Sequence, residues 1–318
     1  MTLPFEALAC PLDGSALQRA DNCWRCESGH SFDIAAQGYV NLLPVQHKRS
    51  RDPGDSKEMI LARQRFLEAG HYLPIAQAVS RAVLGMARAQ AAPVPNVGED
   101  KGKAVRSTNG AALAGDFSCL DAGCGEGYYL RELIATANLQ HDGTGLVPTS
   151  DAPGTLIAIG VDISKWAVMA AAKRDKRATW LVGTNAKLPI QSKSVDLVLC
   201  MFGFPVYPEF ARVLQPAGSV LQVDAGPDHL RELREIIYPS LRAERPSEPQ
   251  TPDGFRQHPS QRVRYSLTLS GKEAIGDLLV MTPHFYRANS EGRSKAAALD
   301  ELTLTVDVVL TPFTLVSD

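Results

Sequence analysis

The stretch Leu120-Asp121-Ala122-Gly123-Cys124-Gly125-Glu126-Gly127 decides the fold of this chain. Apolar and small residues precede it and the helix-forming run Arg131-Glu132-Leu133-Ile134 follows it, so the order predicts a strand, a tight turn and a helix. Because glycine lacks a Cβ atom, such a turn can bend sharply and approach a ligand closely. The helix that follows presents unpaired N–H groups to that ligand. The stretch therefore predicts a nucleotide-type site in a doubly wound α/β sheet.

A second motif lies at 156–162, where an apolar segment ends in the carboxylate of Asp162. A carboxylate at the end of the strand after the glycine turn can accept hydrogen bonds from a ribose diol. The glycine spacing differs from the Gly-x-Gly-x-x-Gly pattern of dinucleotide-binding proteins, which disfavours hydride transfer. Together the two motifs resemble those of class I S-adenosylmethionine-dependent methyltransferases, which have a Rossmann-like sheet. A glycine-rich turn alone would also fit a purely structural role.

Length and composition narrow the classes of protein that fit. The chain has 318 residues, of which 44% are hydrophobic, so it can form one large domain with a small module, or two domains. Its formal net charge of -2 indicates that a nucleic-acid partner would need a local basic patch. No segment is suited to span a membrane, and residues 1–9 lack the pattern of a secretory signal. The uneven spacing of the six cysteines favours a metal site and buried thiols in a reducing cytoplasm over a disulfide framework.

Predicted strands and helices alternate from Phe117 onward, which indicates a mostly parallel sheet with right-handed crossovers. In such sheets the ligand lies beyond the carboxyl ends of the strands. The predicted strand ends carry the glycine turn, Asp162, Asn185, Met201 and Asp224. This convergence predicts an S-adenosylmethionine-binding domain at 117–318, preceded by a flexible insertion at 91–116.

The N-terminal segment 1–45 contains Cys10, Cys23, Cys26 and His30 in the pattern C-x12-C-x2-C-x3-H. Three thiols and one imidazole at this spacing favour tetrahedral zinc. A segment this short buries little surface alone, so a bound metal would help to hold its fold. The alternative is a set of incidental thiols, and we predict a zinc-binding, RNA-recognition module here.

Residues 46–90 are predicted to connect this module to the sheet. A basic loop at 46–55 comes first, and it is either a solvated linker or a phosphate-binding element that orders over a ligand. Two helices follow, of which Ser56 is positioned to cap the first and Gly70 to end it. Tyr72 lies at the join of the two helices, where it either packs or lines the ligand site.

Several segments resemble the RlmA type of large-subunit ribosomal RNA guanine-N1 methyltransferase, which carries an N-terminal zinc module. The resemblance is most specific in Gly38-Tyr39-Val40-Asn41-Leu42-Leu43-Pro44-Val45-Gln46-His47-Lys48-Arg49-Ser50-Arg51-Asp52-Pro53-Gly54-Asp55. It continues at Phe66-Leu67 and Ala69-Gly70-His71-Tyr72, and it resumes at 121–129, 162–165, 188–189, 225–230 and 281–283. It implies methyl transfer from S-adenosylmethionine to N1 of a guanine in 23S ribosomal RNA. Two alternatives stay open: a small-molecule methyltransferase, and a non-catalytic zinc-containing RNA-binding factor.

The resemblance also implies a donor-binding site. The family's donor-binding residues fall on Tyr72, Gly125, Glu126 and His229. With the strand-end residues, the predicted site comprises Tyr72, Asp121, Gly123, Gly125, Glu126, Asp162, Asn185 and His229.

The family's zinc ligands fall on Cys10, position 13, Cys26 and His30, but position 13 is an aspartate in this chain. Carboxylates do bind zinc, so Asp13 can serve as a ligand through oxygen. Cys23 can instead supply a third sulfur, and a module that packs without metal is a further alternative. We predict zinc bound by Cys10, Cys26 and His30, with Cys23 or Asp13 as the fourth ligand.

Methylation of guanine N1 sets two further requirements. N1 carries a proton, so a base near it would help; the candidates are Asp224 and Asp228 at strand ends, and behind them Asp52 and Asp55. N1 also lies on the Watson–Crick edge, so the target base must be unpaired or extruded. The zinc module and the cations of the basic loop are the predicted RNA contacts, and a homodimer would enlarge the basic surface.

Overall fold

A computed structural model describes residues 4–44, 53–91, 115–142, 154–240 and 251–316. A small antiparallel sheet comes first, with strands β1 (Gln18–Ala20), β2 (Cys23–Arg25) and β3 (Ser31–Asp33). The strands of the large sheet are β4 (Tyr39–Asn41), β5 (Phe117–Ala122), β6 (Leu156–Asp162), β7 (Thr179–Val182), β8 (Val195–Met201), β9 (Leu214–Ala225), β10 (Phe255–Gln257), β11 (Gln261–Ser270) and β12 (Glu301–Leu315). The helices are α1 (Lys57–Glu68), α2 (Leu73–Ala91), α3 (Tyr128–Asp142), α4 (Lys165–Arg174), α5 (Tyr207–Val213), α6 (Arg231–Ile237), α7 (Lys272–Met281), α8 (His284–Arg287) and α9 (Ser290–Ala297).

The large sheet has nine strands in the order β10-β12-β9-β8-β5-β6-β7-β4, and β11 also pairs with β12. The strands from β9 to β4 run parallel, whereas β12 is antiparallel to each of its neighbours. β5 is buried along its whole length, which explains its continuous run of apolar and small residues. The predicted doubly wound, mostly parallel α/β fold is confirmed. The chain order reverses between β5 and β8, and ligands bind at such a point.

Local sequence sets the helix starts as predicted. Ser56 caps α1, since its side chain accepts a hydrogen bond from the N–H of Met59 at 3.3 Å. Two hydrogen bonds from Arg65 to the carboxylate of Asp277 then fix α1 against α7. The connector helix is therefore anchored to the C-terminal part of the fold.

The small N-terminal sheet packs directly against the large one. The N–H of Ala9 donates to the carbonyl of Pro189 at 3.0 Å. β4, which lies inside the predicted module at 1–45, pairs in parallel with β7, so that Tyr39 is the register partner of Trp180. Apolar residues of both parts form one buried core. Residues on either side of the predicted boundary at 45 thus belong to one packed unit.

Two strands of the C-terminal part do not follow from the sequence pattern. β10 lies within the polar stretch 243–261, and β11 begins at its end. Exposed and half-buried residues alternate along most of β11, because it lies at the edge of the sheet and only one face packs. The alternating segment 302–309 predicts a strand, and β12 extends beyond it because it pairs with β9, β10 and β11.

Some predicted features lie outside the described residues. These are the basic loop from residue 46 to residue 52 and most of the insertion at 91–116. Within the described ranges, no helix is both long enough and apolar enough to cross a membrane.

Candidate functional site

The glycine turn joins β5 to α3 and lies against the end of β6. The N–H of Gly123 donates to the carbonyl of Val161 at 2.8 Å. The N–H of Gly125 donates to Oδ2 of Asp162 at 2.9 Å. Gly125 has a φ of +54°, in the left-handed region that glycine adopts most readily. The turn is thus fixed by the strand that ends in Asp162.

Two carboxylates are buried at this turn. Asp121 is 1% exposed and Glu126 is 2% exposed. Among the described residues, neither Oδ1 of Asp121 nor Oε2 of Glu126 has a hydrogen-bond partner. Burial, followed by the charges of Asp162 and Glu126, raises the pKa of Asp121 to about 8. Because an unpartnered buried carboxylate is costly, this arrangement fits a ligand that carries positive charge or N–H donors.

Asp121→Asn is expected to flatten the pH dependence of stability. The folded-state pKa of Asp121, about 8, lies above the ordinary value of an unfolded aspartate. The neutral carboxyl group therefore stabilises the folded protein fully below about pH 4, and this contribution is lost as the pH rises through about 8. Over that range the free energy of unfolding falls by at most about 1.4 kcal/mol per pH unit. Denaturant unfolding of the donor-free protein between about pH 5 and pH 9 measures this slope.

Cys119→Ala, on the same strand, is the matched control. Burial raises the pKa of the Cys119 thiol well above its ordinary value, so this side chain stays neutral over the measured range. The control variant should lose the same stability at every pH. A wild-type slope in Asp121→Asn would contradict the assignment of the raised pKa to Asp121.

Arg63 of α1 lies over the glycine turn, which the sequence pattern does not predict. Its Nη2 is 2.6 Å from Oδ2 of Asp55, and its Nη1 is 3.8 Å from Oε2 of Glu126. Burial opposes the charge of Arg63, but the carboxylates of Asp55 and Glu126 outweigh it and raise the pKa of the guanidinium. Arg63 lies on the same face of α1 as the buried residues Ile60 and Leu67. A charged residue on an apolar helix face is the sequence signal that would have identified Arg63 as a site residue.

The end of the predicted basic loop is fixed beside Asp162. Oγ of Ser164 donates to the carbonyl of Asp55 at 2.8 Å. A Cβ atom on Gly54 would lie 2.8 Å from Cβ of Ser164, so only glycine permits this approach. The chain therefore leaves the basic loop at the edge of the donor site.

Tyr72, at the join of α1 and α2, contacts His229, which follows β9. The Tyr72 hydroxyl is 3.4 Å from Nε2 of His229, and the N–H of Asp307 donates to Nδ1 of the same ring at 3.2 Å. Burial lowers the pKa of His229 to about 4, so the ring is neutral near pH 7 and its proton lies on Nε2. His229 then donates to Tyr72, and the Tyr72 hydroxyl proton is free to be donated to another acceptor.

Asn185 also reaches the turn, because its Nδ2 donates to the carbonyl of Ala122 at 3.1 Å. Phe202 directly follows β8. Its ring stacks on His229 with centroids 6.0 Å apart, so Tyr72 and His229 lie beside the carboxyl end of β8. The structure therefore groups the predicted donor-site residues around the carboxyl ends of β5, β6 and β9.

The two base candidates differ in their surroundings. Oδ2 of Asp228 is 2.6 Å from Arg264, and Oδ1 is 3.2 Å from Arg231. These arginines hold the pKa of Asp228 below its ordinary range. Asp228 is thus a salt-bridge residue of the surface. Of the reserve candidates, Asp55 is paired with Arg63, and Asp52 lies outside the described residues.

Asp224 is half-buried at the end of β9 and no cation pairs with it among the described residues. Burial raises its pKa. Nε2 of Gln222 donates to its Oδ2 at 2.6 Å, and the Tyr207 hydroxyl donates to Oε1 of Gln222. The tyrosine therefore fixes the orientation of the glutamine amide, which in turn orients the carboxylate.

Four candidate metal ligands meet beside the small N-terminal sheet: Cys10, Asp13, Cys26 and His30. Nδ1 of His30 lies 3.5 Å from Sγ of Cys10, 3.3 Å from Sγ of Cys26 and 3.2 Å from Oδ2 of Asp13. Ligand atoms that surround one zinc ion tetrahedrally lie about 3.3–3.8 Å apart. The distances from His30 fit this geometry, and all four ligand atoms lie within 4.8 Å of one another.

Cys23 does not belong to this group. Its thiol donates to the carbonyl of Ala20 at 3.2 Å, on the β1–β2 hairpin. Of the two predicted choices for the fourth ligand, the geometry favours Asp13, because Asp13 lies with the other three ligands and Cys23 lies on the hairpin. The ligand set itself stays a prediction. The C-x2-C spacing suggests that Cys23 and Cys26 bind one metal. The hairpin turn instead directs the Cys23 thiol to the carbonyl of Ala20.

Known protein families match both the N-terminal segment and the large sheet of this chain. The family described as RlmA, N-terminal, a zinc ribbon, matches residues 8–51, and a methyltransferase domain matches residues 120–224. A Micromonospora griseorubida protein, provisionally named a 23S rRNA (guanine-N1)-methyltransferase, is 33% identical over 314 residues that cover 95% of each chain. A Streptomyces fradiae 23S rRNA (guanine(748)-N1)-methyltransferase is 29% identical over 309 residues that cover 94% of each chain.

Proposed function

The chain belongs to the family of 23S rRNA (guanine-N1)-methyltransferases, and from that premise we propose that it transfers a methyl group from S-adenosylmethionine to N1 of a guanine in a loop of large-subunit ribosomal RNA. The observation that carries this proposal is the match over 95% of both chains, which includes the zinc ribbon as well as the methyltransferase domain. The zinc ribbon favours an RNA substrate over a small molecule.

The buried acidic pocket fits the methyl donor. S-adenosylmethionine supplies a methyl group on a sulfonium cation and also carries an ammonium group. Oδ1 of Asp121 and Oε2 of Glu126, which accept no hydrogen bond among the described residues, would face these positive charges. The Asp162 carboxylate would accept hydrogen bonds from the ribose. The hydroxyl of Tyr72, oriented by His229, would donate to the carboxylate of the methionine part.

We assign the role of base to Asp224 rather than Asp228. A base near guanine N1 must be free to accept a proton. Asp228 is paired with two arginines. Among the described residues, the Asp224 carboxylate accepts a hydrogen bond from the neutral amide of Gln222 and pairs with no cation. Its raised pKa makes it a stronger proton acceptor than an ordinary aspartate.

Zinc would be held by Cys10, Asp13, Cys26 and His30, and it would stabilise the ribbon that contacts RNA. The proposal further includes action in the cytoplasm, where free cysteine thiols persist and ribosomal RNA is the substrate. It also includes a homodimer, because a second copy would add basic surface to a chain of net charge -2.

Primer extension on 23S ribosomal RNA tests the reaction. N1-methylguanine cannot form a Watson–Crick pair, so reverse transcriptase stops at the modified position. Incubation of unmodified transcript with the zinc-loaded protein and donor should produce one new stop, and Glu126→Ala should not. Donor binding by calorimetry without any stop would instead indicate a small-molecule methyltransferase. Absence of donor binding would indicate a non-catalytic RNA-binding factor.

Lys48→Gln and Arg51→Gln are each expected to weaken RNA binding. Each cation that contacts a phosphate releases bound counterions, so its loss should reduce the slope of log affinity against log salt by about 1. Fluorescence anisotropy with a labelled 23S fragment over a series of KCl concentrations measures the slope. Lys193→Gln is the control, because Lys193 precedes β8 at the amino ends of the strands, opposite the carboxyl ends that carry the glycine turn. Equal slopes in all four proteins would contradict the assignment of the basic loop.

A further inference from the structure

We propose that Phe204 forms the platform on which the target guanine stacks after it leaves the RNA. The inference rests on the proposed function and adds a substrate-binding residue to it. Phe204 is 89% exposed and Phe202 is 40% exposed. A single exposed apolar side chain is ordinary on a protein surface. These two flank one glycine in the segment that follows β8, and the backbone of Phe202 is hydrogen-bonded to β9.

The turn after β8 is fixed at Phe202. Phe202 has a φ of +49°, a left-handed conformation that is uncommon for residues other than glycine. Its N–H donates to the carbonyl of Val223 at 2.8 Å, and its ring stacks on His229 at an interplanar angle of 25°. Such a conformation persists only where surrounding contacts determine it, and it is typical of functional sites.

The same turn lies between the donor site and the proposed base. A Cβ atom on Gly203 would lie 3.4 Å from Sγ of Cys200 and 3.9 Å from the carbonyl of Ala122, the residue before the glycine turn. On the other side, Val223 accepts the hydrogen bond from Phe202 and directly precedes Asp224. Gly203 thus lies between the donor site and Asp224. Phe204 is the next residue, so its Cα lies about 3.8 Å from the Cα of Gly203.

An aromatic ring here suits the chemistry. A base that is extruded for modification loses its stacking partners, and enzymes replace them with aromatic or apolar side chains. The phenyl ring can cover one face of guanine and makes no hydrogen bond to its edges. The Watson–Crick edge therefore stays open to Asp224 and to the methyl donor.

Steady-state kinetics on a hairpin that spans the guanine mapped by primer extension tests the inference. Phe204→Ala and Phe204→Leu should each lower kcat/KM for the hairpin by about 5- to 150-fold, the range for loss of one base–aromatic stack. Phe204→Tyr should restore kcat/KM to within about twofold, because the stacking face is retained. The dissociation constant for S-adenosylmethionine should stay unchanged in all three. Leu139→Ala is the control, since Leu139 is an exposed apolar residue on α3 away from the strand ends.

A second measurement detects the stack itself. A hairpin with 2-aminopurine at the target position should lose fluorescence on binding to the wild-type enzyme and should stay brighter with Phe204→Leu. Wild-type kcat/KM in Phe204→Ala would overturn the inference while leaving the reaction intact. Equal activity of the leucine and tyrosine variants would overturn it as well, since a general apolar contact would then suffice. If the wild-type enzyme itself produces no N1-methylguanine, the proposed function fails and this inference fails with it.

Discussion

Asp224→Asn is expected to lower turnover at saturating RNA and donor by about 100- to 10,000-fold near neutral pH, the range for loss of a general base. The amide retains the shape and the hydrogen bond from Gln222, but it cannot accept the N1 proton. Because burial raises the pKa of Asp224 and the carboxylate is the active form, the wild-type rate should rise as pH increases through that pKa. The variant should lack this limb of the pH profile.

Asp228→Asn tests the rival candidate under the same conditions. Arg264 and Arg231 hold the pKa of Asp228 below its ordinary range, so its loss should leave the acidic limb in place. The dissociation constant for the donor, measured by calorimetry, should match the wild type in Asp224→Asn. If Asp228→Asn loses the rise in rate with pH and Asp224→Asn keeps it, then Asp228 and not Asp224 is the base.

Cys26→Ser is expected to abolish zinc binding and to destabilise the protein. Cys26 is buried and its Sγ lies 3.3 Å from Nδ1 of His30, so the substitution removes one of the four grouped ligand atoms. Metal analysis should fall from about one zinc per chain to background. The melting temperature should fall by about 5–10 °C, because a few kcal/mol of metal-dependent stability is lost while the apolar core remains.

Cys23→Ser and Asp13→Cys separate the two choices for the fourth ligand. Cys23→Ser should keep its zinc, because the thiol bonds to the carbonyl of Ala20 instead. Asp13→Cys should bind zinc more tightly in competition with a chelator, since a thiolate replaces a carboxylate. A further variant, Asp13→Asn, should bind zinc more weakly than the wild type. Loss of zinc in Cys23→Ser, together with wild-type zinc affinity in Asp13→Asn, would contradict the assignment of Asp13.

The centre of the fold follows from local patterns. Apolar runs that carry Asp121 and Asp162 near their ends, each followed by a turn and a helix, specify parallel strands because such strands are buried on both faces. Since parallel strands present their carboxyl ends at one edge, the sequence alone could bring Asp162 and Asn185 to the glycine turn.

The features that a local pattern could not supply depend on contacts distant in the chain. Arg63 meets Glu126 only because α1 is anchored by α7. β11 appears polar because it is an edge strand, and its partner β12 lies far along the chain. Phe204 cannot be distinguished from a core phenylalanine by sequence, because its exposure depends on the turn that holds it.

The pairing of β4 constrains the order in which the chain can fold during synthesis. Tyr39 is synthesised well before Trp180, its partner in the parallel register, and a nascent chain emerges with its N-terminal part first. Until β7 has emerged and joined β6, the N-terminal segment lacks the sheet edge against which it packs. β4, the first strand of the large sheet to be synthesised, therefore pairs only after three later strands, β5, β6 and β7, have been synthesised.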